Sequence, residues 1–166
     1  FKKVYYDELL GRAVSKFVPA DDLIVPYSAT SLEDAESIIH RVKMSENELR
    51  KQQVTGFYRD IELTPGYDNE SDLEGIRKSK NEDVFSLLEC HVNLDLEGFE
   101  DRSPEGEPTG IKLPYIVTVE ENSRSILSIR RNYEVGDEKR TKISYFVHFK
   151  FLPGLGFYGF GLIHMI

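Results

Sequence analysis

The chain has 166 residues, 40% of them hydrophobic, with ten Phe and nine Tyr; that is enough for one domain with a substantial core and argues against general disorder, although a negative mean hydropathy keeps much of the surface polar. The net charge of −8 is uneven: residues 1–59 hold nine acidic and nine basic side chains, 60–108 fifteen against four, and 109–166 five against eight. That acidic excess, with no basic stripe, argues against a dedicated nucleic-acid-binding module. Cys90 is the one cysteine, which excludes an internal disulfide and a Cys-based zinc site made by this chain alone, and fits a reducing, intracellular place of folding.

The segment Phe1-Lys2-Lys3-Val4-Tyr5-Tyr6-Asp7 lacks the apolar region of a secretory signal, and no apolar run reaches the roughly 18 residues of a membrane span, so no membrane association is expected. Residues 13–29 alternate imperfectly, with Pro19 and Pro26 interrupting, and predict short edge strands around an Ala20-Asp21-Asp22 turn. Thr30 or Ser31 can cap a helical turn over Leu32–Glu36. The β-branched run from Ile38 to Met44 predicts a strand. Ser45-Glu46-Asn47-Glu48 has the spacing of a capping box, and Leu49, Gln53, Val54 and Phe57 follow at helical intervals, so residues 46–55 form a helix that Gly56 stops.

From Asp60 to Lys80 the sequence is polar and acidic and reads as a mobile loop extending to about residue 82, with room for a helical turn over Leu73–Lys78. Leu88, Cys90, Val92, Leu94 and Leu96 then alternate with Glu89, His91, Asn93 and Asp95, the period of a strand whose apolar face is buried. Residues 97–110 form an exposed loop around Ser103-Pro104-Glu105-Gly106-Glu107-Pro108. Leu113–Val119 and Ile126–Tyr133, joined by Glu121-Asn122-Ser123-Arg124, suit a hairpin. After a polar turn at Gly136–Arg140, the alternation from Ile143 to Phe151 predicts a fourth long strand ended by Pro153-Gly154. The fold class is therefore α+β: an antiparallel meander of about four longer strands with short edge strands and one or two short helices, as a single domain over 1–166. The apolar end Gly161-Leu162-Ile163-His164-Met165-Ile166 reads as a helix begun near residue 158 and cut off, and with no initiator Met at Phe1 it suggests a piece of a longer protein.

No coherent catalytic set emerges. Strand geometry puts Glu89, His91, Asn93 and Asp95 on one face and Cys90 on the other, which makes a cluster of all of them awkward for a metal, and a solvated polar face is the expected role. The acidic group Asp68, Glu70, Asp72 and Glu74 fails the calcium-loop pattern, which needs Gly at its sixth position and Glu at its twelfth where this chain has Leu73 and Ser79. The glycine-rich stretch Leu152–Gly161 lacks the Gly-Lys-Ser/Thr ending of a phosphate-cradling loop, so its glycines are expected to turn the backbone and let Phe157, Tyr158 and Phe160 pack closely. Each of the four histidines could serve as a base, but Cys90 is the only thiol and there is no Gly-x-Ser-x-Gly elbow. Arg130 and Arg131 can meet a phosphate or a carboxylate, and a salt bridge at a surface or subunit boundary is the favoured reading. No catalytic, cofactor-binding or metal-ligating residue is assigned. Subunit or interdomain contact is expected of Arg130, Arg131, Phe157, Tyr158 and Phe160.

Leu127-Ser128-Ile129-Arg130-Arg131-Asn132-Tyr133 and the stretch from Tyr145-Phe146-Val147-His148 through Leu152-Pro153-Gly154-Leu155-Gly156-Phe157-Tyr158-Gly159-Phe160 to His164 closely resemble portal proteins of short-tailed, podovirus-type bacteriophages. Phe17–Tyr27 and Val54-Thr55-Gly56-Phe57-Tyr58-Arg59-Asp60 are similar to the same family in the same order, so the resemblance spans nearly the whole chain. It implies a structural virion protein, made in the host cytoplasm, that forms a homo-oligomeric ring, a dodecamer in the full-length protein, at one capsid vertex. DNA would be packaged and ejected through the ring without sequence-specific binding, with the terminase, the capsid and tail or head-completion proteins as partners. This chain would belong to the outer wing, and the long channel-lining helices and tail-facing parts would lie outside it. The resemblance carries no catalytic residues and no cofactor. Two alternatives remain: a small protein-binding module acting through an exposed loop at Phe157 and Tyr158, and a carboxylate-dependent metal hydrolase using His91.

Overall fold

The structure, a computed structural model, describes residues 1–7, 10–63, 84–150, 152, 154 and 156–159. Among the described residues, two antiparallel sheets and one α-helix make the α+β architecture expected from the sequence. The strands are β1 (Lys2–Asp7), β2 (Arg12–Phe17), β3 (Leu23–Ile24), β4 (Ser37–Ser45), β5 (Val84–Leu94), β6 (Leu113–Glu120), β7 (Ile126–Arg131) and β8 (Phe146–Val147), and helix α1 covers Glu46–Val54. The larger sheet has the order β3-β4-β5-β6-β7, and the smaller has β2-β1-β8.

Local chemistry explains most boundaries. The chain passes from β4 into α1 through a complete capping box: the Glu48 amide donates to Ser45 Oγ, and the Glu48 carboxylate accepts from the Ser45 amide. Gly56 ends the helix with φ +75°, a left-handed conformation that costs glycine least. In the β6–β7 hairpin, the amides of Asn122 and Ser123 donate to the Glu120 carboxylate at 3.1 and 2.5 Å, so a fully buried acid is satisfied by its own turn. Burial favours its protonated form, but these donors outweigh that and lower its pKa.

At Thr30–Asp34 the expected cap forms without the expected helix. Ser31 Oγ accepts from the Glu33 and Asp34 amides, while the Asp34 carboxylate accepts from the Thr30 and Ser31 amides, closing a turn in place of a helical run. The long strand expected over Ile143–Phe151 is also corrected, because among its described residues only Phe146–Val147 enter a ladder. The Ile143 amide still donates to Asn132 O beside the large sheet, whereas Tyr145 O already accepts from the Val4 amide of the small one. The chain is crossing between sheets there, which leaves two residues to pair with β1. Phe151 lies outside the described residues, as do residues 64–83 of the acidic loop, the turn expected at Leu73–Lys78, the calcium-type acids, and residues 160–166 of the expected terminal helix.

The core has two parts. Phe1, Val18, Leu23, Ala29, Leu32, Ala35, Ile38, Phe146 and Phe157 pack together where the small sheet meets β3 and β4. Leu49 from α1, Tyr58, Phe85, Leu87 and Leu127 form the second cluster at the other end of the same face of the large sheet. Among the described residues, no helix is long and apolar enough to cross a membrane.

Candidate functional site

Between the two apolar clusters the covered face of the large sheet turns polar. On β5 the buried side chains are Phe85, Leu87, Glu89 and His91, while Leu88, Cys90, Val92 and Leu94 on the opposite face are only half-buried. The expectation of a solvated face for Glu89 and His91 is therefore overturned at both positions; Asn93 is exposed, and Asp95 lies past the strand. The physical reason lies in β1. Lys3 faces the large sheet, and its Nζ donates to both Glu89 oxygens at 2.6 and 2.7 Å, supplying a counter-charge from 86 residues away. His91 Nε2 is 2.7 Å from Glu89 Oε1, so one carboxylate serves two partners.

Neighbouring strands complete the cluster. His40 stands directly across from Glu89 on β4, and Thr118 faces it from β6. The Phe146 ring lies edge-on to His40 and His91, with centroids 5.6 and 5.2 Å away. Burial favours a neutral Glu89, but the hydrogen bond from His91 and the Lys3 ammonium outweigh it and hold the carboxyl well below the usual range. Burial and the nearby Lys3 charge lower His40 to about 4, keeping its imidazole neutral near pH 7. Its Nδ1 is buried without a hydrogen-bond partner among the described residues. Burial also raises Tyr58 to about 12 and pushes up the Cys90 thiol, so neither is an activated nucleophile.

The arrangement is chemically inward-looking. Both oxygens of Glu89 are engaged, Oε1 by Lys3 and His91 and Oε2 by Lys3. Among the described residues, no group of three or more His, Cys, Asp or Glu is placed to hold a metal ion. A cleft of about 480 Å³ opens elsewhere, between the Thr30–Glu33 turn and the Phe146–His148 segment with Lys150. Nothing in the alternation of β5 pointed to this buried cluster. A lysine in the amino-terminal strand was the missing half of the signal.

The residues expected to make contacts are not brought together as one site. Half-buried Arg130 lays its guanidinium over Phe57, 4.2 Å from the ring centroid, and exposed Arg131 lies 5.9 Å from the Phe99 centroid. Phe157 is 5% exposed and stacked on Phe1 at 5.5 Å, so the loop required by the binding-module reading is not exposed at that ring. Tyr158 is partly exposed and donates its hydroxyl to Leu23 O at 2.8 Å. Phe160 lies outside the described residues. No protein-family model matches the chain, and no curated protein matches it either.

Proposed function

We propose that this chain is a structural virion protein, a wing segment of a phage portal subunit whose ring lets DNA be packaged and ejected. The observation that carries the proposal is the run of portal-like strings in the same order along nearly the whole chain, above all Leu127–Tyr133 and the segment from Tyr145 onward. The interior chemistry is compatible with it: Glu89, Lys3 and His91 are spent on one another as a tie between two sheets. A net charge of −8 suits a wall that DNA passes without adhering. In this reading the chain itself performs no catalysis, and the energy for DNA movement comes from a separate motor.

Gold-labelled antibodies raised against the chain provide the test in particles of the virus that encodes it. Labelling at a single vertex, where head and tail meet, is the expected result. Labelling spread over the whole shell, or confined to the infected cell, would overturn the proposal.

A further inference from the structure

Sheets that share no backbone ladder can part at the side chains between them before the whole molecule unfolds. Here the ladders run within each sheet. Side chains make the joint: one apolar cluster, the Tyr158 hydroxyl on Leu23 O, and the Lys3–Glu89 ion pair. The second cluster belongs to α1, the segment after it and the large sheet, so that sheet keeps a core of its own without the small one. Detached, the small sheet would be a β1–β2 hairpin with a two-residue edge, too little to hold its ladder in water.

His40 stands at this joint with no provision for a positive charge. It lies between Leu23 on β3 and Glu89 on β5, edge-on to the Phe146 ring of β8. The charged and titratable groups that face it are Lys3 from β1, Lys16 from β2, and Glu89 and His91 from β5. Glu89, the acid in that set, is already engaged at both oxygens by Lys3 and His91. A protonated His40 would therefore carry a buried N–H at Nδ1 with no acceptor among the described residues, in the field of two lysines. His91 differs, because its Nε2 already meets Glu89 Oε1 at 2.7 Å, an acceptor that holds a protonated ring.

We infer that the joint is an acid-operated latch: a proton on His40 frees the small sheet from the large one while α1, β5 and β6 stay folded. Parting of the sheets brings water to the ring and carries Lys3 away from it, so the open form takes the proton more readily than the closed one. The ring titrates near its ordinary 6.5 when open and at about 4 when closed, and opening gains as pH falls through that window. Discounted for partial exposure of the ring, this one group makes the open form about tenfold more populated at pH 5 than at pH 7. The latch is independent of the portal reading.

Native-state hydrogen exchange of the chain, read by NMR at pH 7 and pH 5 in low urea, tests it. With intrinsic rates divided out, the amides of Val4 and Val18, bonded to Tyr145 O and Phe1 O, report the small sheet. Their protection should lie about tenfold or more below that of β5 and β6 at both pH values, with a shallower urea dependence. It should drop about tenfold from pH 7 to pH 5 and hold steady in His40→Gln. His40→Leu, suited to the apolar contacts with Leu23 and Phe146, takes the place of that variant if the amide disturbs the fold. Small-sheet amides that match β5 and β6 in level and urea slope would mean that only the whole molecule opens, and would overturn the inference. Protection independent of pH in the unsubstituted chain, or an acid response that persists in the His40 variants, would overturn it equally.

Discussion

At the scale of single residues, the Lys3–Glu89–His91 group is the feature with the largest energetic consequence. A buried ion pair adds little net stability over an apolar pair of the same shape, but removing one partner strands a charge. Lys3→Met should therefore lower the stability measured by urea unfolding by about 3–5 kcal/mol, and the double change Lys3→Met with Glu89→Leu should recover much of that loss. Acid should act on the same place. His40 is held near 4 against an ordinary 6.5, so the unfolded chain takes up its proton first, and the stability it contributes is complete above 6.5 and lost as pH falls toward 4. Discounted for the partial exposure of the ring, the loss is about 1–2 kcal/mol. Glu89, held low, adds a further loss only below about 4.5, its ordinary value. Urea midpoints at pH 7 and pH 5 should differ accordingly, and His40→Gln should flatten most of that slope.

At the scale of elements, the Ser45 capping box and the left-handed Gly56 fix both ends of α1. Ser45→Ala should cost about 1 kcal/mol by removing an acceptor from the first turn, and thermal unfolding with matched heat-capacity terms measures it. Gly159 makes a second local demand: a Cβ there would come within 2.6 Å of Leu152 O, so Gly159→Ala should destabilise by about 1–3 kcal/mol. Elements of this kind were legible in the sequence, because a capping box and the β6–β7 turn lie within a few consecutive residues. The face of β5 was not. Leu87 and Leu88 are both apolar, so the alternation can be phased either way, and reading it from Leu88 placed Glu89 and His91 in water. What settles the phase is a partner on β1 that no local pattern can indicate. The short β8 escaped for a related reason: Ile143–Phe149 alternates well, yet the chain spends those residues passing from one sheet to the other.

At the scale of the whole molecule, one polar tie and one apolar cluster join the two sheets, a second cluster packs α1 on the large sheet, and aromatic segments from both halves of the chain contribute to that framework. Phe157 and Phe146 sit in the core, and the Leu127 side chain is fully buried. A subunit of a ring would need such a body to hold its shape while neighbours press on it, with Arg130 and Arg131 near the margin of the large sheet. The proposed role is architectural, and electron microscopy of the purified protein tests it most directly. Closed rings of a fixed subunit number, with this body at the outer rim, are expected. A protein that remains monomeric at high concentration, with no rings in any field, would contradict it.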